Sequence, residues 1–239
     1  MAANFPTTRW SVVLDAAQGP TAPRRALAEL CEAYWRPLFV FLRRNGMAAP
    51  DAEDAVQGFL ASLVASATGG LTAPDRERGR FRSYLLGALR HWLANERTRA
   101  QAAKRGGTSA PIALDLGQGD LDVPDDRTPE AAYAWAWATE ILGRARRRLG
   151  AAHVDEGRAE LFAALEPFLL SGDTPAYRQV AAQLGMTEAN ARVAVHRLRG
   201  RFRAALREEV ADTVSSAADV DDELRAVIEA LRPVGAPGR

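Results

Sequence analysis

Apolar residues recur along this chain at intervals of three and four positions, which is the repeat of an amphipathic α-helix rather than of a β-strand. Near the C-terminus, for example, Ala191, Val195, Leu198 and Phe202 follow one another at spacings of four, three and four. Hydrophobic residues make up 47% of the 239 positions, which is enough to bury one or two cores. The pattern therefore predicts an all-α protein.

Glycine, proline and acidic residues divide the predicted helices into two domains. Gly46, Gly69-Gly70 and Gly106-Gly107 each end a predicted helix. Thr128-Pro129-Glu130 supplies the cap, first-turn proline and acid of a helix start, whereas Pro37 is expected to kink or split the first helix. We expect the following division: an N-terminal extension at 1–21, a helical domain at 22–107, a flexible acidic linker at 108–127, a second helical domain at 128–210, and a tail at 211–239 that contains a short amphipathic helix.

The net charge of +1 conceals four segments of strongly unequal charge. Residues 76–105 contain nine Arg or Lys and two Glu, a net charge of +7, and residues 192–207 contain six Arg and no acid. Residues 115–130 contain six acids and one Arg, and residues 208–223 contain seven acids and no base. Charge runs are often only solvated faces, but two basic blocks in separate helical domains are typical of nucleic-acid binding.

Residues 177–202, with the sequence YRQVAAQLGMTEANARVAVHRLRGRF, have the pattern of a helix-turn-helix. Ala181 is small where two helices cross, Gly185 stands where the turn needs a positive φ, and Thr187 would cap the second helix. The second helix would bury the apolar stripe described above and expose small residues and arginines, which can reach phosphates or bases. An ordinary helical hairpin with a basic outer face is the alternative.

Several features of the sequence exclude other classes of protein. The N-terminal residues lack a basic segment followed by an apolar stretch, and no apolar run is long enough to cross a bilayer. The single cysteine, Cys31, excludes an internal disulfide, and no Gly-rich phosphate loop, metal-ligand cluster or nucleophile–base pair stands out. We therefore expect a cytoplasmic protein that is not an enzyme, needs no cofactor and has no membrane partner.

Three segments, in chain order, resemble parts of bacterial RNA polymerase sigma factors of the extracytoplasmic-function (ECF) type. Residues 51–63 (DAEDAVQGFLASL) resemble the polymerase-binding helix of region 2, and residues 81–97 (FRSYLLGALRHWLANER) resemble the helix that opens the downstream promoter element. Residues 177–203 resemble the region 4 helix-turn-helix that reads the upstream element. TTRWSVVL at 7–14 and KRGG at 104–107 are similar to a subgroup common in planctomycetes and myxobacteria. The resemblance implies a region 2-like and a region 4-like domain that direct transcription initiation at particular promoters.

The resemblance also implies roles for individual residues of both domains. Contact with core RNA polymerase would involve Asp51, Asp54 and Gln57. Binding and melting of the downstream promoter element would involve Arg82, Tyr84, Arg90, Trp92, Arg97, Lys104 and Arg105. Recognition of the upstream element would involve Thr187, Asn190, Arg192, Val193, His196, Arg197 and Arg199. The chain departs from the family at Gly58, His91 and Asn95, where an acid, an asparagine and an aspartate are usual.

Partners and one alternative stay open at this level. A sigma factor implies core RNA polymerase and promoter DNA as partners, with an anti-sigma protein or a kinase as candidate regulators. A stand-alone helix-turn-helix regulator would share the basic recognition helix, but would need a dimer surface and no polymerase-binding helix. The tail helix, expected at 219–232, needs cover from the second domain or from another protein for an apolar side made of Val220, Leu224, Val227, Ile228 and Leu231.

Overall fold

The computed structural model describes residues 21–66, 80–104, 126–170 and 176–233. Within these ranges the secondary structure is helical, apart from one isolated antiparallel bridge between Arg80 and Val214. The all-α class is therefore confirmed. The helices are α1 Thr21–Arg44, α2 Ala49–Ser66, α3 Phe81–Lys104, α4 Pro129–Asp155, α5 Ala159–Leu165, α6 Pro167–Leu170, α7 Tyr177–Gln183, α8 Glu188–Ala211 and α9 Ala217–Leu231.

The helix ends follow the local signals in the sequence. Gly46, with a φ of 83°, follows the last turn of α1, because a glycine tolerates the left-handed backbone that ends a helix. The hydroxyl of Thr128 accepts a hydrogen bond of 3.2 Å from the amide of Ala131 and so caps α4. Pro37 lies inside α1 without dividing it, so of the two expected effects the split is wrong. A proline removes one backbone hydrogen-bond donor from the helix. The burial of Tyr34 before it and of Leu38 and Phe41 after it offsets this loss.

The described residues form two compact units, one made of those up to 139 together with those from 211 onward, and one made of those between 140 and 210. Residues 128–139 and the tail thus group with the first unit, whereas the pattern along the chain assigned 128–139 to the second domain. The acidic linker expected at 108–127 falls almost entirely outside the described residues, as does the N-terminal extension, and both stay predictions.

The core of the first unit is built around aromatic residues of α1, α3 and α4. The rings of Tyr34 and Phe81 pack edge to face, with their centroids 4.9 Å apart. The indole of Trp137, fully buried, donates a hydrogen bond of 3.0 Å to the hydroxyl of Tyr34. Helix α2 packs against α1. The buried apolar residues around these rings include Leu38, Phe41, Leu42, Ala52, Val56, Phe59, Leu63, Leu85 and Leu89.

The tail completes this first unit. The amide of Phe81 donates a hydrogen bond of 3.0 Å to the carbonyl of Thr213, next to the bridge that links Val214 to the start of α3. At the other end of α9, the Arg127 guanidinium donates to the carbonyls of Ala230 at 3.0 Å and Arg232 at 2.8 Å. These bonds satisfy carbonyls that a helix C-terminus leaves without partners. These contacts attach the tail to the first unit, and Val220 and Val227 of its apolar side are buried.

One detail of the tail differs from the sequence expectation. Ile228, expected on the apolar side of α9, is 59% exposed. The buried residues of this helix are Val220, Glu223 and Val227, so a carboxylate takes the central inward position. These three residues lie at spacings of three and four, which is one face of a helix.

The second unit encloses a separate apolar cluster. Residues of α4 to α8 contribute to it, and Ala145, Leu149, Ala164, Leu165, Phe168, Val180, Val195, Leu198, Phe202 and Ala205 are its buried members. A Cβ at Gly150 would lie 3.0 Å from the ring of Phe162, so a glycine is needed where α4 and α5 approach each other. This cluster anchors α7 and α8 by their inward faces.

Candidate nucleic-acid interface

Helices α7 and α8 form the helix-turn-helix that the sequence predicts. Between them, Gly185 has a φ of 62°, a conformation that side chains other than glycine rarely adopt. The hydroxyl of Thr187 accepts a hydrogen bond of 3.2 Å from the amide of Asn190, which caps α8. Val180 and Ala181 are buried where α7 packs on the core. The predicted turn, cap and inward face are all confirmed.

Helix α8 buries one face and exposes the other. The stripe of Ala191, Val195, Leu198 and Phe202 is buried, as the spacing predicts. All seven residues predicted to read the upstream element are exposed, and six of them lie within α8. They are Thr187, which caps the helix, and Asn190, Arg192, Val193, His196, Arg197 and Arg199. The exposed face of α8 therefore offers a basic, solvent-accessible surface of the kind that enters a DNA groove.

Arg192 is held in a defined position by two neighbours. Its guanidinium bonds to the carboxylate of Glu188 at 2.6 Å, and it stacks over the ring of Tyr177 at 4.4 Å from the centroid. Tyr177 in turn stacks on Phe168, with ring centroids 4.9 Å apart. Arg192 therefore points toward the beginning of α7, and its side chain loses less conformational freedom when it binds an anion.

Arg199 has a structural partner that the sequence does not indicate. Its Nε and one terminal nitrogen both donate hydrogen bonds of 3.1 Å to the carbonyl of Phe168, within the four-residue helix α6. The last four carbonyls of a helix have no partner inside it, so such donors satisfy them. Arg199 was predicted to read the upstream element; its described contacts hold α6 against α8, the residue is also exposed, and its role at the promoter stays a prediction.

A second arginine of the basic block, Arg201, also has a partner within the second unit. Arg201 makes a two-pronged ion pair with Glu156, with nitrogen–oxygen distances of 2.9 and 2.5 Å. This pairing lowers the pKa of the Glu156 carboxyl, chiefly through the hydrogen bond to Arg201. Of the basic block at 192–207, the side chains of Arg197 and Arg203 are both exposed and lie beside the same face as Arg192.

The residues predicted to contact polymerase lie together on the outer face of α2. Asp51, Asp54 and Gln57 are all exposed, and Val56 and Phe59 on the opposite side are buried. Because positions three apart share a helix face, Asp54 and Gln57 form one polar surface with Asp51 at its start. The structure confirms the exposure of this surface, and its contact with polymerase stays a prediction.

Arg82 does not belong to an open nucleic-acid surface. Its Nε lies 2.6 Å from the carboxylate of Glu223, and its guanidinium stacks over Trp137 at 4.9 Å from the ring centroid. The side chain is only 19% exposed. Arg82 was predicted to act in promoter melting, and the structure instead engages it in the first unit. Neither Glu223 nor Trp137 was identified from the sequence, although the spacing of Val220, Glu223 and Val227 was visible.

Other residues of α3 differ in their exposure. Arg90 pairs with Glu130 at 2.5 Å and lies over the ring of Phe41, yet half of its side chain is exposed. Burial raises the pKa of the half-buried Tyr84 to about 12. Arg97 is exposed, the side chain of Lys104 is not described, and Arg105 lies outside the described residues. Among the described residues, the candidates for contact with the downstream element are therefore Arg90, Arg97 and the half-buried Tyr84 and Trp92.

Trp92 packs on α2, and Gly58 makes the contact possible. The rings of Trp92 and Phe59 meet edge to face with centroids 6.1 Å apart. A Cβ at Gly58 would lie 3.3 Å from the indole, closer than most such contacts. The glycine that replaces a usual acid therefore accommodates a tryptophan, which explains the departure by packing.

Metal and membrane sites have no candidates in the part of the chain that the structure describes. No cluster of three or more His, Cys, Asp or Glu side chains there could hold a metal ion. No helix in the same ranges has the length and apolar character of a membrane span. Comparisons of the chain with protein-family models, with curated proteins and with solved structures found no match.

Proposed function

We propose that this protein is an RNA polymerase sigma factor of the extracytoplasmic-function type. The observation that carries the proposal is the helix-turn-helix of α7 and α8, capped by Thr187, with a basic face that the unit leaves exposed. The helix-turn-helix lies in residues that resemble region 4, and it follows two segments that resemble region 2. In this proposal α8 enters the major groove of the upstream promoter element.

A second surface distinguishes a sigma factor from other DNA-binding proteins. The exposed Asp51, Asp54 and Gln57 on α2 offer carboxylates and an amide to a basic surface of core polymerase. A stand-alone regulator has no use for such a surface. The proposal therefore assigns α2 to polymerase and α8 to DNA, with initiation at particular promoters as the joint result.

Run-off transcription with purified core RNA polymerase on genomic fragments tests the proposal. Core enzyme from a planctomycete or a myxobacterium is the natural choice, given the resemblance. Addition of the protein should produce discrete transcripts that core alone does not. The control is a variant with Arg192, Arg197 and Arg203 replaced by Ala, which should still co-purify with core but lose the transcripts. Absence of both co-purification and discrete transcripts would contradict the proposal.

Binding of the purified chain to DNA separates the two readings of the helix-turn-helix. As a sigma factor without polymerase, the protein should bind promoter duplex weakly and with strong dependence on salt, because nothing then holds its two basic domains at promoter spacing and no avidity arises. Tight, sequence-specific binding by the purified chain at physiological salt, without co-purification of core, would favour the stand-alone regulator.

A further inference from the structure

We propose that Val193 is a specificity-determining residue that reads the C5-methyl group of a thymine in the upstream promoter element. The inference rests on the proposed function, since it assumes that α8 lies in the major groove of that element. It concerns an apolar contact, whereas the basic residues around Val193 serve binding to any sequence.

Val193 stands at the centre of the exposed face of α8. It is 48% exposed, although valine is among the residues most often buried. Along the helix it follows Ala189 by four positions and precedes His196 by three, so these residues form one outward row. A single exposed valine has no meaning by itself, but this one is placed where the predicted groove contact is closest.

Gly200, the next member of the row, indicates close approach from outside. It lies within α8, where a glycine destabilises a helix relative to alanine. Packing inside the protein does not require it, because a Cβ built at Gly200 would meet no neighbouring atom within 4 Å. A row of Ala, Val, His and Gly therefore leaves room for a partner that comes close to the backbone.

The chemistry of Val193 suits a thymine methyl group. In the major groove the C5-methyl is the apolar group that distinguishes thymine from the other bases. A valine in a helix has one strongly preferred rotamer, so its two methyl groups are presented at little entropic cost. A polar or charged residue at the same place would instead favour a hydrogen-bonding edge.

The position of Arg192 suits contact with the DNA backbone rather than with a base. Its bond to Glu188 and its stacking on Tyr177 direct the guanidinium toward the start of α7, away from the row that contains Val193. In helix-turn-helix proteins the first helix crosses the DNA backbone. Arg192 therefore suits a phosphate, and base reading falls to Val193 and the residues along its row.

Deoxyuridine, which differs from thymine only by the absent methyl group, tests the contact directly. Each thymine of an upstream element found by run-off transcription is replaced in turn, and binding by the reconstituted holoenzyme is measured. For the wild type, deoxyuridine at one of these positions should weaken binding roughly threefold to tenfold. Val193→Ala should weaken binding to the thymine duplex by a similar factor and should no longer respond to deoxyuridine at that position.

Two variants complete the experiment. Val193→Thr keeps one γ-methyl group and should retain part of the response to deoxyuridine. Ile228→Ala removes an exposed aliphatic side chain from α9 and should behave as the wild type. If Val193→Ala responds to deoxyuridine at every position as the wild type does, the methyl contact is overturned, while promoter-specific transcription upholds the sigma factor. A loss of core co-purification by Val193→Ala would likewise overturn it, by assigning Val193 to polymerase.

Discussion

The carboxylate of Glu223 lies 2.6 Å from Nε of Arg82, although 141 positions separate the two residues in the chain. Glu223 is fully buried, and a second guanidinium, that of Arg80, approaches its other oxygen at 3.4 Å. A buried carboxylate between two arginines ties α9 to the start of α3. The ion pair therefore joins the tail to the rest of the first unit.

Replacement of Glu223 by Ala should destabilise the protein strongly. The change leaves Arg80 and Arg82 without their shared counter-ion in a partly buried place, and such a loss costs about 3 kcal/mol. Urea denaturation of the full chain measures it. The control is Glu229→Ala, whose exposed carboxylate pairs with Arg232 three residues along the chain, so its expected effect is below about 0.5 kcal/mol. Equal effects of the two variants would mean that the buried pair adds nothing.

Charge reversal on the outer face of α2 should abolish assembly with polymerase. Asp54→Arg combined with Gln57→Ala alters two exposed side chains, so helicity and melting temperature should stay near those of the wild type. Co-purification with core RNA polymerase is the measurement. Asp155→Arg, an equal charge change at an exposed position of the second unit, should leave assembly intact. Wild-type yields of core with the double variant would disprove the assignment of α2.

Two arginines of α8 should respond to substitution in opposite ways. Arg199→Ala removes both donors to the carbonyl of Phe168 and should lower stability by about 1–3 kcal/mol. Arg192→Ala should leave stability nearly unchanged, weaken binding on all promoters alike and reduce the salt slope by about 1. Thermal melting and holoenzyme binding at several salt concentrations distinguish them. A promoter-selective loss with Arg192→Ala would show that it reads a base.

Cys31 should report on unfolding of the first unit. It is the single cysteine of the chain, it is buried, and burial raises the pKa of its thiol to about 12. At pH 8 the folded protein should resist iodoacetamide, and reaction should follow the unfolding transition in urea. Rapid alkylation of the native protein would show that α1 opens locally.

The same thiol should contribute to loss of stability in alkali. Because its pKa is raised in the folded state, the contribution is fully present below the ordinary value near 9 and is lost as the pH rises toward 12. Cys31→Ala should therefore flatten the fall in stability between about pH 9 and pH 12. Tyr84, whose pKa burial also raises to about 12, should keep part of the slope in that variant.

The sequence by itself determined the features that depend on neighbours within one or two helical turns. The helical class, the cap at Thr187, the left-handed turn at Gly185 and the buried stripe of α8 all follow from period and from backbone preference. The exposure of Asp54 and Gln57 follows from the same helical period, because Val56 and Phe59 on the opposite side of α2 are buried in the core. Such signals act locally and leave a pattern in the chain.

Only the tertiary structure decided which charged side chains have partners within the protein. Arg82 and Arg199 look like their basic neighbours in the sequence, yet one pairs with Glu223 and the other with the carbonyl of Phe168. Those partners lie 141 and 31 positions away, and no periodicity connects them. The place of the tail was decided in the same way. Its apolar side could have met several surfaces, and the buried carboxylate of Glu223 matches the arginines at the start of α3.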